Sequence, residues 1–133
     1  MIKTLYFFLF IVFFSLGMWA CTHKEPSYKN LTSAQFEALI KDTHTQLLDV
    51  RTLPEYMEGF IPGSINIDIK DKEFASCVDD QLDKERPVAI YCRSGRRSRE
   101  AAELLVKKGF KKVYNLDKGI LIWIEEGRET ILP

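Results

Sequence analysis

A cysteine that opens a short, arginine-rich loop is the part of this 133-residue sequence best suited to chemistry. Cys92 directly follows the apolar run 88–91. The loop after it comprises Arg93, Ser94, Gly95, Arg96 and Arg97. Backbone amides in such a loop and nearby cations favour the thiolate, which is the nucleophilic form of cysteine. The pattern therefore predicts an exposed, nucleophilic Cys92 in an anion-binding loop. The alternative is a small buried hydrophobe, a common role of free cysteine.

The elements around this loop must hold the sulfur in place. The apolar run 88–91 after Pro87 predicts a buried strand. Ser98 is predicted as the N-cap of a helix that ends before Gly109. Cys92 would then lie at the carboxyl edge of a strand, where open α/β sheets bind their ligands. The helix N-terminus would add partial positive charge beside it.

Strands and helices alternate along the rest of the chain. Further strands are predicted at residues 47–51, 65–69 and 113–116, and further helices at residues 33–41, 54–58, 70–80 and 120–126. This alternation implies parallel strands joined by right-handed crossovers. The predicted fold class is therefore α/β, with a small parallel sheet sandwiched between helices. Trp123, on the last helix, is expected in the core.

Asp49 interrupts the apolar strand 47–51, which ends at Arg51. A buried carboxylate needs hydrogen-bonding partners. We expect backbone amides or a basic side chain near the site to hold Asp49 as a structural brace. A catalytic-base role is the alternative.

The length and charge of the chain fit one globular domain. Nineteen basic and nineteen acidic residues give a formal net charge of zero. This balance argues against a general nucleic-acid binder, so the arginine cluster is a local feature.

The first twenty residues have a different character. Lys3 is the only charge before the apolar run 5–20, which is followed by Cys21. This pattern is typical of an export signal and resembles the bacterial lipoprotein signal, in which the cysteine is lipidated. We therefore expect residues 1–20 to be a signal peptide, Cys21 to be the lipidation site, residues 21–30 to be a tether and residues 31–133 to be the domain. An uncleaved N-terminal anchor is the alternative. Both place the domain outside the cytoplasm, in the periplasm or at the cell surface.

The two remaining cysteines have several possible relations. Cys77 lies in a predicted short helix, where plain burial is expected. The spacing leaves two alternatives open: Cys77 could form a disulfide with Cys92, or it could act as the resolving thiol for an oxidised Cys92.

Taken together, these segments resemble the rhodanese-like domain over about residues 31–127. The matching residues are Leu48-Asp49-Val50-Arg51, Glu55-Tyr56, Gly59 to Ile67, the segment 88–98, Ala101-Ala102, Leu105, Gly109-Phe110, Val113-Tyr114-Asn115-Leu116, Gly119-Ile120 and Trp123. The chain departs from the family at Phe60, where the family usually carries histidine.

The resemblance implies a sulfurtransferase without a cofactor or metal ion. In that family a cysteine thiolate takes the outer sulfur of a donor such as thiosulfate and becomes a persulfide. A thiol or cyanide then removes that sulfur. On this sequence the cysteine is Cys92, and the amides of loop 93–97 would hold the persulfide. Arg93 and Arg97 are expected to attract the anionic donor.

Other functional classes remain as alternatives. A rhodanese-like domain that binds a partner, or carries persulfide sulfur without steady turnover, is the first. A thiol redox protein using Cys77 and Cys92 is weaker, because the chain lacks a Cys-x-x-Cys pair. A phosphatase branch of the superfamily places an arginine where this chain has Ser98, so phosphate chemistry ranks below sulfur transfer.

Overall fold

The computed structural model describes residues 27–133 and shows one sheet of five parallel strands. The strands are β1 (Lys29–Leu31), β2 (Gln46–Asp49), β3 (Ile65–Asn66), β4 (Val88–Tyr91) and β5 (Val113–Leu116). Their order across the sheet is β1-β5-β4-β2-β3. The helices are α1 (Ser33–Ile40), α2 (Leu53–Met57), α3 (Phe74–Gln81), α4 (Arg96–Lys107) and α5 (Gly119–Glu125).

Successive strand residues divide the core into two layers, because side chains alternate between the faces of a sheet. Leu48 and Ile90 pack in the layer that α3 and α4 cover. Their neighbours Leu47 and Tyr91 pack in the layer of α1 and α5, where Trp123 is buried as expected. The predicted α/β class, with a small parallel sheet between helices, is therefore confirmed.

The first strand lies in a segment that the sequence assigned to the tether. Lys29 and Asn30 belong to β1, which pairs with β5 at the edge of the sheet. The prediction of a tether over residues 21–30 is therefore wrong at its end. A three-residue edge strand with two exposed polar residues has no apolar alternation by which the sequence could reveal it.

The segment between β3 and α3 also differs from the prediction. The strand expected over residues 65–69 is only Ile65–Asn66. The helix expected from residue 70 begins at Phe74. Asp68 and Asp71 explain the delay, since their carboxylates accept hydrogen bonds from backbone amides two residues later and stabilise turns.

The helix after Cys92 begins earlier than predicted. Its N-cap is Gly95, with φ at +94°, and Arg96 is its first residue. Ser98 is therefore not the N-cap. Its hydroxyl donates to the sulfur of Cys92 instead. Gly95 makes the entry turn through a left-handed backbone conformation that glycine adopts freely.

The predicted signal peptide and Cys21 lie outside the described residues. Between residues 27 and 133, none of the helices has the length and apolar character needed to cross a membrane.

Candidate active site

Cys92 lies directly after β4, at the carboxyl edge of the sheet. Its Sγ accepts hydrogen bonds from the backbone N–H of Gly95, at 3.1 Å, and from the hydroxyl of Ser98, at 3.3 Å. Both donors stabilise negative charge on the sulfur more than they stabilise a neutral thiol. The site therefore supplies two hydrogen-bond donors to a sulfur anion at this position. The loop sequence predicts the inward-facing amide. It does not predict Ser98 as a donor, because Ser98 was expected to be the N-cap of the helix.

The opposite side of the loop is fixed by the N-terminus of α5. The backbone N–H of Ile120 donates to the carbonyl of Cys92 at 2.9 Å, and that of Leu121 donates to the carbonyl of Arg93 at 3.2 Å. Gly119 permits this approach. A Cβ there would lie 2.7 Å from the Cys92 carbonyl oxygen and would overlap the Arg93 carbonyl group. The carbonyls of the loop are thus bound by α5, and this fixes the position of the sulfur.

The sulfur is not exposed, contrary to the prediction. Cys92 has 0% of its surface accessible to solvent and belongs to the core layer under α3 and α4. The sequence could not reveal this, because the loop closes over the strand end only when the helices that follow are packed. A donor can react with this sulfur only after part of the covering structure moves.

Arg97 is bound to a residue of α2 and is not free in the loop. Its guanidinium forms two hydrogen bonds with the Glu55 carboxylate, at 2.7 and 2.8 Å. Thr52, the N-cap of α2, donates both its N–H and its hydroxyl to the same carboxylate. The Arg97 guanidinium is the main reason why the pKa of Glu55 falls to about 2. In this state Arg97 is charge-compensated, so an anionic donor must compete with the Glu55 carboxylate for it.

The other polar loop residues have different surroundings. Arg93, Ser94 and Arg96 are exposed. Arg93 lines a recess of about 200 Å³ beside the loop. The other lining residues are Arg51, Glu55, Glu58, Gly59, Ile120, Leu121, Ile124 and Thr130. This recess combines charges of both signs with an apolar wall from α5, and it is the surface through which we expect a small molecule to approach the loop.

Asp49 is held by Arg51, as expected. The Arg51 backbone N–H and Nε donate to Oδ1, and Nη2 lies 2.6 Å from Oδ2. Arg51 Nη2 also donates to the carbonyl of Gly59, which ties the end of α2 to the sheet. The guanidinium lies 5.7 Å from the centre of the Tyr91 ring. Both carboxylate oxygens of Asp49 are thus occupied, which favours the brace over the catalytic-base role.

Tyr91 fixes the chain that passes over the other side of the strand end. Its hydroxyl accepts a hydrogen bond from the N–H of Ile61 and shares one with the hydroxyl of Ser64. Burial, with the nearby Asp49 charge, raises the pKa of Tyr91 well above its usual value. Tyr91 therefore stays neutral and serves as a structural hydrogen-bonding centre.

Phe60, the departure from the family pattern, serves in packing. Its ring stacks on Tyr56 at 4.1 Å, and its backbone forms two hydrogen bonds with Ile131. The segment after α5 is thereby attached to the end of α2, close to the recess.

Cys77 and Cys92 are both free thiols. Cys77, on α3, is half-buried and packs against the core layer that contains Cys92. Cys77 is thus partly buried against the core, and the two cysteines form no disulfide in this structure.

Two comparisons with known proteins place this fold and loop in context. The sequence pattern of the rhodanese-like domain matches residues 32–126. A rhodanese-related protein from Thermoplasma volcanium has a crystal structure that aligns with a TM-score of 0.65 and 32% identity, over 80% of this chain and 100% of that one. The fold and the cysteine loop thus define a small rhodanese-like α/β domain, and the chain belongs to the rhodanese-like family.

Curated relatives differ in how much of them this chain covers. A sulfurtransferase of Allochromatium vinosum is 33% identical over 77% of this chain and 94% of its own length. A tRNA uridine(34) hydroxylase of Prochlorococcus marinus is 37% identical, but the chain spans only 36% of its length. A putative sulfur carrier protein of Bacillus subtilis is 38% identical over 62% of this chain and 43% of its own length.

Proposed function

We propose that this protein is a sulfurtransferase that moves the outer sulfur of a donor such as thiosulfate to a thiol or cyanide through a persulfide on Cys92. The observation that carries the proposal is the pair of donors on Sγ, the N–H of Gly95 and the hydroxyl of Ser98. They stabilise a sulfur anion at the end of a strand in a chain of the rhodanese-like family. The similar sulfurtransferase of Allochromatium vinosum, which this chain nearly spans, supports the same reading.

The reaction consists of two displacements at sulfur. In the first, the Cys92 thiolate attacks the outer sulfur of thiosulfate, the S–S bond of thiosulfate breaks, and sulfite leaves with the bonding electron pair. The negative charge then lies on the terminal persulfide sulfur. In the second, cyanide attacks that sulfur, the Cys92 S–S bond breaks, and thiocyanate leaves while the thiolate is restored. Preorganised loop donors reduce the cost of moving this charge within the site.

A sulfur carrier without steady turnover is the second candidate, and the burial of Cys92 favours it. A shielded persulfide would be protected from small acceptors and would be released only to a partner that opens the site. The similarity to the putative sulfur carrier protein of Bacillus subtilis points in the same direction.

One experiment separates these candidates. The full chain in detergent is treated with thiosulfate, and intact mass spectrometry measures the addition of one sulfur atom to the protein. Cyanide is then added and thiocyanate is followed over time. The enzyme proposal expects many thiocyanate molecules per chain, whereas a carrier releases at most one. Cys92→Ser must abolish sulfur loading and Cys77→Ser must retain it. If loading persists in Cys92→Ser, the assignment of Cys92 is wrong.

We also propose that the domain is exported and lipid-anchored, on the sequence of residues 1–21. A bacterium expressing the full chain with a clickable fatty acid tests this directly. We expect the label in the membrane fraction, on a chain that starts at Cys21. Cys21→Ser must remove the label, and a labelled wild-type chain that retains residues 1–20 would contradict signal cleavage.

A further inference from the structure

The edge of the sheet opposite Cys92 carries a group of lysines. Because all five strands are parallel, β1 and β5 begin at the same edge, and Cys92 follows β4 at the other. Lys29 is the first residue of β1, and Lys111 and Lys112 directly precede β5. Together with Ser27 they line a recess of about 260 Å³. We call Lys29, Lys111 and Lys112 the lysine edge.

Most of the charge on the lysine edge is uncompensated. Lys111 forms an ion pair with Glu85 at 2.7 Å, and both side chains are exposed to solvent. Within the part of the chain that the structure describes, neither Lys29 nor Lys112 forms an ion pair, and both are exposed. The full chain has a formal net charge of zero, so this concentration of positive charge is local. Such a surface attracts anions.

The position of the lysine edge along the chain indicates which anions it meets. Seven residues lie between Cys21 and Lys29, and the eight steps of chain that join them span at most about 28 Å. A domain of this size has a radius of gyration of about 13 Å, so its diameter is comparable with that reach. If the N-terminal segment is held in a membrane, this connection keeps the start of β1, and with it the lysine edge, within reach of the membrane surface.

We propose that the lysine edge docks on anionic lipid headgroups of the membrane that holds the N-terminal segment, with the Cys92 loop facing away from the bilayer. The inference rests on the membrane anchor proposed above and not on the sulfur chemistry. Lysines beside a membrane segment are attracted to anionic lipid, and the attraction decays within about one Debye length of the surface. The connection to the anchor is long enough to let the lysine edge come within that distance. Docking in this orientation leaves the recess beside Arg93 open to water-soluble substrates.

Lysine acylation in nanodiscs measures the docking. The full chain is reconstituted into nanodiscs of phosphatidylcholine alone or with phosphatidylglycerol, and an uncharged acylating reagent is applied. Mass spectrometry then gives the rate of acylation at each lysine. We expect Lys29 and Lys112 to react several-fold more slowly with phosphatidylglycerol present, and high salt to abolish the difference. Lys70 and Lys72, which follow β3 at the other edge, must react at the same rate in both lipids.

Matched charge variants complete the test. Lys112→Gln should weaken docking about fivefold, as read from the acylation of Lys29. Lys72→Gln, which removes the same charge from the opposite edge, should have no effect. Equal acylation rates at Lys29 in the two lipids overturn the proposal. Protection of Lys29 from acylation by glycerol phosphate in the presence of neutral nanodiscs also overturns it, because it would assign the lysine edge to small anions. A chain that does not co-elute with nanodiscs overturns the anchor and the docking together. Loss of sulfur transfer with intact protection would contradict only the sulfurtransferase proposal.

Discussion

Replacing Glu55 with glutamine should make this protein bind an anionic sulfur donor more tightly. In the structure the Arg97 guanidinium gives two hydrogen bonds to the Glu55 carboxylate, so a donor must compete with Glu55 for Arg97. Glutamine keeps the shape of the side chain and its ability to cap α2 beside Thr52. The substitution therefore removes the competing charge and leaves the helix start in place.

The magnitude of this effect follows from the strength of the ion pair. The fall in the pKa of Glu55 from 4.5 to about 2 corresponds to roughly 3 kcal/mol. Solvent reaches 21% of the Arg97 side chain and 26% of that of Glu55, which screens the pair and reduces its contribution to about 1 kcal/mol. Removing a competitor of that strength should lower the KM for thiosulfate about fivefold.

Initial rates of thiocyanate formation against thiosulfate concentration at pH 7 measure the effect. Glu58→Gln is the matched control, because Glu58 lines the same recess. The substitution removes the same charge without releasing Arg97 from Glu55. We expect Glu58→Gln to change KM less than twofold. An increase of KM in Glu55→Gln would refute the reasoning, since it would mean that Glu55 positions Arg97 for the donor instead of competing with it.

Three further predictions concern the loop and its supports. Ser98→Ala should slow single-turnover persulfide formation by about 10- to 100-fold, since a hydrogen bond to a charged group contributes about 1.5–3 kcal/mol, whereas Ser76→Ala on α3 should not. Gly119→Ala should reduce sulfur loading, seen by intact mass spectrometry, at least tenfold by displacing the loop carbonyls. Gly127→Ala also has positive φ but meets no atom within 4 Å, so it should lose stability without losing loading. Because the pKa of Glu55 is lowered, its pairing stabilises the fold fully above about pH 4.5 and loses this effect as pH falls towards 2. Urea unfolding of wild type and Glu55→Gln should therefore differ by about 1 kcal/mol at pH 6, and the difference should vanish only as the pH falls to about 2; a constant difference would contradict this assignment.

Local sequence signals were sufficient to predict the architecture around Cys92. The apolar run 88–91 reads as a buried strand, and a glycine in the following loop indicates a tight turn. The alternation of strands and helices then gave the parallel sheet. Local signals did not predict the shortest elements correctly. The polar edge strand Lys29–Leu31 was not predicted as a strand, and β3 is shorter than predicted.

The contacts that define the site depend on residues far apart in the sequence. Arg97 and Glu55 are separated by 42 positions, and nothing in either segment indicates that they meet. The spacing of Thr52 and Glu55 is a capping box, which could have shown that this carboxylate is fixed at a helix start, but not what it binds. Likewise, Gly119 is readable as a turn residue, whereas its contact with the Cys92 loop appears only in three dimensions.

The two sides of the Cys92 loop differ in how firmly they are held, and this difference bears on how a buried sulfur can react. On one side α5 holds the loop through backbone hydrogen bonds and a close approach at Gly119, so movement there would leave backbone groups unpaired. On the other side, the contact between α4 and α2 is the solvent-screened pair of Arg97 and Glu55. Breaking that pair costs about 1 kcal/mol, less than leaving buried backbone groups unsatisfied. We therefore expect the site to open towards Glu55, with the anionic donor replacing the carboxylate at Arg97 as it reaches the sulfur.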